Sequence, residues 1–217
     1  MSNNTCNLAL FLDAPLQSWG YQSKFDQRTT LSYPTRSGLL GMVCAAMGIE
    51  RDDQKRLDEL TELRLSIYAF RQEGRLIDYH TVGGGWDKKH NRQHIVPKAD
   101  GSVGNTVVTH REYLQNARFG VVVEGGGKLL ERIAAALRNP KWGIWLGRKS
   151  CIPATPVEQG VFNNHNDALA RLSELAGADP RRTVEEVEQF QDGTDTIQDK
   201  PLNFSTREFA PRRVNIE

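Results

Sequence analysis

Cysteine is scarce in this chain and never paired. Cys6, Cys44 and Cys151 are the only three in 217 residues, far apart and odd in number. Without a CxxC pair, nothing suggests a disulfide framework or a cysteine-based zinc site, and a reducing, cytosolic setting fits the count. Long apolar runs are lacking too. The longest uncharged one, residues 38–49, spans 12 residues. That is short of the roughly 18–20 needed to cross a bilayer, so no membrane partner is expected. The opening MSNNT has no basic run and is not read as a signal peptide. Net charge is nearly absent: 28 Lys and Arg against 27 Asp and Glu leave +1. That excludes a polycation holding nucleic acid by bulk charge. What is present, 38% hydrophobic and 25% charged residues, excludes wholesale disorder. The length suits one large domain, or one with a small appendage.

Residues 7–13 (NLALFLD) form a compact apolar run and predict a buried first strand. Residues 15–35 are polar, hold two prolines, and read as an ordered loop with a short hairpin. Pro34 and Thr35 then open an apolar helix that ends near Gly48. Residues 50–63 show one narrow apolar face (Leu57, Leu60, Leu63), the pattern of a short surface helix. Residues 64–71 predict a strand, with 76–82 as its hairpin partner. Residues 119–123 predict a central strand, 125–127 a turn, 128–138 a helix stopped by Asn139 and Pro140, and 142–146 another strand. The order strand, helix, strand, strand, helix, strand is the ferredoxin-like βαββαβ arrangement that RNA-recognition modules also use, an α+β class. Beyond residue 150 the pattern is weak. A short helix is expected at 168–176, an acidic surface segment at 179–199 and a last strand at 202–214.

Charge resolved along the chain is far from uniform. Residues 71–118 hold eight Lys and Arg, five Asp and Glu, and four of the five histidines; residues 171–200 hold four Lys and Arg against eight acids. Within the first span, residues 83–105 carry five glycines together with Lys88, Lys89, His90, Arg92, His94 and Lys98. A packed core cannot be built from that composition, and a loop of this length is usually functional or disordered. Tyr79, Trp86 and Tyr113 stand among the cations. Cations for phosphates and flat rings for unstacked bases suit single-stranded RNA. His80, His110, Tyr79 and Lys88 could also supply an acid and a base for metal-independent RNA cleavage, the alternative reading. The spacing of His90 and His94 lacks the HExxH pattern. The run GGGK at 125–128 lacks the Ser or Thr of a phosphate loop, since Leu129 stands there. No metal or cofactor is implied.

Seven motifs occur in order: PLQSWG at 15–20, YPTRSGLLG at 33–41, GIERDD at 48–53, DYHTV at 78–82, THREYL at 109–114, LGRKSC at 146–151 and REF at 207–209. Together they resemble the CasD family of the RAMP superfamily, the type I-E CRISPR Cascade subunit that binds the 5′ handle of the guide RNA (crRNA). The resemblance implies a ferredoxin-like domain over residues 1–150, with a thumb hairpin inserted at about 83–105 and a reduced C-terminal extension at 151–217. It implies a cytoplasmic, non-catalytic subunit in antiviral defence. Its body would cap the crRNA 5′ handle, and its thumb would touch the guide at the first backbone subunit. The Cascade backbone and large subunits would be its partners, with target DNA reached indirectly through the complex. By motif position, Trp19, Arg36 and Ser37 would lie near the handle. Tyr79, His80, Arg111 and Tyr113 would sit at the thumb base, with Lys88, Lys89 and Arg92 on the thumb. Arg148, Lys149 and Ser150 would contact handle phosphates or bases, and Arg207 would support the same face. Residues 167–201 match no family motif. Type I-C relatives cleave precursor RNA themselves, but their opening motifs differ from those here.

Overall fold

Leu8, Leu10 and Leu12 alternate with Ala9 and Phe11, and all five are buried. A strand apolar on both sides needs cover on both faces of its sheet, and this requirement organises the molecule. The computed structural model describes residues 5–23, 25–83, 86, 87, 89–93, 98, 100, 102, 104 and 106–217, with backbone alone at 86, 87, 92 and 93. The strands are β1 (Thr5–Gln17), β2 (Gln27–Arg28), β3 (Arg64–Arg71), β4 (Gly74–Val82), β5 (Trp86–Asp87), β6 (Arg92–Gln93), β7 (Val107–Gly126), β8 (Glu158–Phe162), β9 (Arg182–Val187), β10 (Asp195–Asn203) and β11 (Glu208–Ile216). The helices are α1 (Arg36–Met47), α2 (Gln54–Thr61), α3 (Gly127–Arg138) and α4 (His165–Ala176).

One sheet runs β10-β11-β9-β3-β7-β1-β8, and β2 and β4 also pair with β7. On one face Leu8, Leu10 and Leu12 meet α1, α2 and α3 in the main core. On the other, Ala9, Phe11, Tyr68, Phe70 and Val122 pack against Ala168 and Leu172 of α4. Each fully buried large side chain of this kind contributes about 1.5–3 kcal/mol. Helix α1 starts where expected, with the Thr35 hydroxyl accepting from the Gly38 amide, and ends on Gly48 in the left-handed conformation.

The strand β7 has two sets of partners. Residues 118–124 pair with β3, and residues 107–115 pair with β4 in nine unbroken register pairs, from Gly74↔Gln115 to Val82↔Val107. Between the two, Asn116 adopts a positive φ of 47°. It marks the point where the neighbour on that edge changes, while the register with β1 continues unshifted on the other edge. Along the chain, β5 and β6 fall between the two strands of the β4–β7 hairpin and form a two-residue ladder with each other.

The C-terminal third departs most from expectation. Residues 142–146 form no strand; the edge strand beside β1 is β8. The reason is local, because the Lys141 and Trp142 amides donate to the Ala46 and Ala45 carbonyls (2.9 and 3.2 Å). They satisfy the end of α1 instead of a ladder. The expected hairpin of 64–71 with 76–82 is also corrected: both sides of β3 are taken, by β7 and β9, so β4 pairs with β7 alone. The acidic stretch 179–199 contains β9 and most of β10, which bury Val184, Ile197 and Asp199. The last strand expected at 202–214 is two strands, β10 and β11, joined by a turn. Residues 125–126 end β7 instead of forming a turn.

Candidate nucleic-acid interface

The end of β1 is pinned by one buried amide. Gln17 donates through Nε2 to the Leu12 and Ala117 carbonyls (3.0 and 2.7 Å), while its Oε1 accepts from Trp19 Nε1 (3.1 Å). Trp19 is thereby locked inward, only 1% exposed. Its backbone holds the next segment, since its amide donates to Thr30 Oγ1 (2.7 Å) and its carbonyl accepts from Leu31 (2.9 Å). Helix α1 begins against the Trp19 ring, close enough that a Cβ on Gly38 would lie 3.0 Å from it.

A second loop hangs on this turn. The Ser18 amide donates to the Leu146 carbonyl (3.1 Å), and the Cys151 amide to the Arg148 carbonyl (2.8 Å). Gly147, at φ 99°, passes so near Ser18 that a Cβ would sit 1.6 Å from its carbonyl oxygen. Only glycine fits there. The loop delivers Arg148 onto β7. Its guanidinium lies 4.7 Å above the Tyr113 ring and donates to the Glu112 and Arg28 carbonyls (2.8 Å each). Ser150 Oγ donates to the Tyr113 hydroxyl (3.4 Å). Three motifs far apart in sequence, at 15–20, 109–114 and 146–151, thus converge on one patch. Ser37, Arg28 and Arg148 line a cleft of about 320 Å³ there, walled by Phe204 and Phe209.

The hairpin sorts its side chains by the alternation of the strand. Tyr79 lies opposite His110, and their rings meet edge to face at 5.4 Å. His80 lies opposite Thr109, on the other face, with Nδ1 3.6 Å from Asp78. Arg111 shares the Thr109 face and donates from Nε to its hydroxyl (3.0 Å). The two histidines of a cleavage pair are therefore on opposite faces. Two of the three thiols, Cys44 and Cys151, are buried, and burial raises both, Cys44 up to about 11, which disfavours their thiolates.

The expected contact residues fall into distinct environments. Tyr79 is 64% exposed, and Lys149, Ser150 and Arg207 are exposed; Lys149 Nζ sits 5.7 Å over the Trp145 ring. Ser37, His80, Arg111 and Arg148 are half-buried. Lys89 is exposed in the turn between β5 and β6. Lys88 and the side chain of Arg92 lie outside the described residues. Trp19, Tyr113 and Arg36 are buried, although Trp19 still contributes to the lining of the cleft. Arg36 instead forms an internal clamp. Its Nη2 donates to the Thr61 and Leu63 carbonyls (2.7 Å each), its Nη1 to Glu186 (3.0 Å), and its amide to Asp199 (2.6 Å). Arg212 binds the same Asp199 through two nitrogens. Burial lowers the Arg36 pKa, and the facing Glu186 opposes that. Two acids of the span 171–200, Glu186 and Asp199, thus meet arginines from outside the basic span.

Sequence reasoning passed over Arg28 and Phe204, which line the cleft. Gln17 and Gly147, the residues that build it, were inside quoted motifs but were not singled out. Their roles are visible only as hydrogen bonds and a close approach between segments 130 residues apart.

The chain belongs to a CRISPR-associated family: a family model described as CRISPR-associated protein (Cas_Cas5) matches residues 7–215. Within it, the CRISPR system Cascade subunit CasD of Escherichia coli (strain K12) is 31% identical over 225 aligned positions, covering 94% of this chain and 92% of CasD. Two solved structures, each also 31% identical, are similar. A chain of a CRISPR RNA-guided surveillance complex has a TM-score of 0.77 over 97% of this chain and 89% of its own length. A Cas protein crystal structure has a TM-score of 0.69 over 97% and 93%. The resemblance read from the seven motifs holds. No helix among the described residues is long and apolar enough to cross a membrane.

Proposed function

We propose that this chain is the non-catalytic Cascade subunit that binds and caps the 5′ handle of the crRNA and helps nucleate the backbone of the DNA-targeting complex. One observation carries the reading: the motifs at 15–20, 109–114 and 146–151 converge to set Arg28, Arg148 and Ser37 around one cleft, with Lys149 exposed next to Arg148 in sequence. Such a cleft offers planar cations for phosphate and ring walls for unstacked bases. Order β8-β1-β7-β3, with α1 and α2 between β1 and β3 and α3 between β7 and β8, supports a ferredoxin-like unit. The β4–β7 hairpin, with residues 83–106 between its strands along the chain, is its thumb, and β9–β11 are the extension. The hairpin would face the first Cascade backbone subunit, and the extension the large subunit. Target DNA would be reached through the complex. Repeat-cleaving ribonuclease activity is the lesser reading, since His80 and His110 are on opposite faces of the hairpin.

The test is co-purification of the chain with its partner subunits and guide RNA, with and without the handle. Lys149→Ala and Arg28→Ala should each weaken retention, by about 1–3 kcal/mol for a base contact or with a smaller salt slope for a phosphate contact. Assembly and RNA retention unchanged after removal of the handle would refute the proposal.

A further inference from the structure

Behind the wall of the cleft lies a second cavity, of about 500 Å³, between the outer face of α1 and the β10–β11 turn. Its floor is Gly41, Cys44 and Ala45; its sides are Trp142, Phe204 and Phe209. The two phenylalanine rings meet edge to face at 6.3 Å. Both also line the cleft that holds Arg148, so one aromatic wall separates the two spaces. Arg51 and Arg207 stand at the rim, and Lys141 Nζ lies 5.4 Å from the Trp142 ring; Glu50 is the one acid among the lining residues. Arg207 is held at φ 59°, an unusual conformation for a residue with a Cβ. The Asn203 side chain fixes that turn by accepting from the Ser205 and Thr206 amides (2.8 and 3.0 Å).

We propose that this cavity receives one unstacked base of the RNA held in the neighbouring cleft, with Arg51 and Arg207 on the flanking phosphates. The proposal rests on the handle-binding reading. Its argument is charge and shape: three aromatic rings give flat walls for a base, and the lining holds two arginines against one acid, with Lys141 beside the Trp142 wall, a balance that favours a polyanion over an acidic protein segment. A strand that crosses the shared Phe204–Phe209 wall passes from one space to the other without leaving the protein surface.

Gly41 makes the test clean. A Cβ there meets nothing within 4 Å, so Gly41→Leu is expected to extend into the cavity that Gly41 lines, and leucine is the better helix former. Arg207→Gly removes the guanidinium while accepting the left-handed backbone. Guide RNAs carrying 2-aminopurine at each handle position in turn are bound to the chain assembled with its partner subunits. One position should be quenched by stacking in the wild type. Both variants should restore its fluorescence, leave the other positions unchanged and weaken RNA affinity by about tenfold, as loss of one stacked base does. If RNA binds but no position responds, the cavity proposal is overturned and the handle reading stands. If Gly41→Leu releases a partner subunit and leaves every fluorescence unchanged, the occupant is protein and the proposal is overturned. If the assembly retains no RNA, both readings fall together.

Discussion

Arg36→Ala separates two roles that its motif position alone would confuse. As an RNA contact, the residue would weaken binding without affecting the fold. As the buried clamp seen here, it holds α2, β9 and β10 to the start of α1. Removing the side chain leaves the Thr61 and Leu63 carbonyls short of a donor, at about 1–3 kcal/mol for a buried unsatisfied group. It also breaks a pair whose arginine is almost fully buried, where losses run to about 3–5 kcal/mol. Glu186 keeps a second cation, Arg212, 3.9 Å away, so the terms do not add in full and about 3–5 kcal/mol is the expected total. For a chain of this size that lowers the thermal midpoint by roughly 6–20 °C. Circular dichroism melts give the midpoint, and filter binding of guide RNA at low temperature gives the affinity of the folded fraction. The clamp predicts a large drop in midpoint with near-normal binding when folded. An unchanged midpoint with lost binding would refute it.

Three further outcomes are expected. Gly147→Ala forces a Cβ into the Ser18 carbonyl, so urea unfolding should show a loss above about 1 kcal/mol and guide-RNA retention should fall with it. A variant that binds RNA like wild type would contradict the role given to this loop. Burial, reinforced by nearby carboxylates, raises Tyr33 and Tyr68 from 10.0 to about 12. Between those values the unfolded chain loses protons that the folded chain keeps, so stability falls as pH rises, by at most about 1.4 kcal/mol per pH unit for each tyrosine. Denaturant titrations from pH 9 to 12 should show that slope, and Tyr33→Phe should reduce it. Deleting residues 88–101 should leave the thermal midpoint within a few degrees while weakening assembly with the backbone subunit; unfolding of the deletion variant would refute the thumb assignment.

Much of the fold is legible where hydrophobic period and punctuation agree. Helix α1 follows from Thr35, the small apolar run and Gly48, and β3 from the alternation of residues 64–71. Legibility fails where a segment is shaped by another one. Trp142 and Ile144 look like strand residues, but the chain there is occupied in closing α1. The acidic span looks like solvent-facing surface, but two of its carboxylates neutralise Arg36 and Arg212 in the interior. For the candidate interface, motif position picked out segments that the fold brings together, but not which of their side chains are buried. Arg36 is an internal clamp and Trp19 a buried wall of the cleft, while Arg28 and Phe204, outside the quoted motifs, line it as well. A sequence records which residues recur together; which of two neighbours faces inward depends on partners elsewhere in the chain.

The continuity of β7 has a mechanical consequence. At about 3.3 Å per residue its 20 residues span roughly 65 Å, one rod running from the root of α3 to the tip of the hairpin. Asn116, with its positive φ, marks where its neighbour changes from β3 to β4, and only three residues further toward the hairpin Tyr113 carries the Arg148 loop. A load applied at the hairpin tip by a neighbouring subunit would act as torque at that point and be felt directly beneath Arg148. The grip on one end of an RNA and the seating of the next subunit would then be two ends of a single lever.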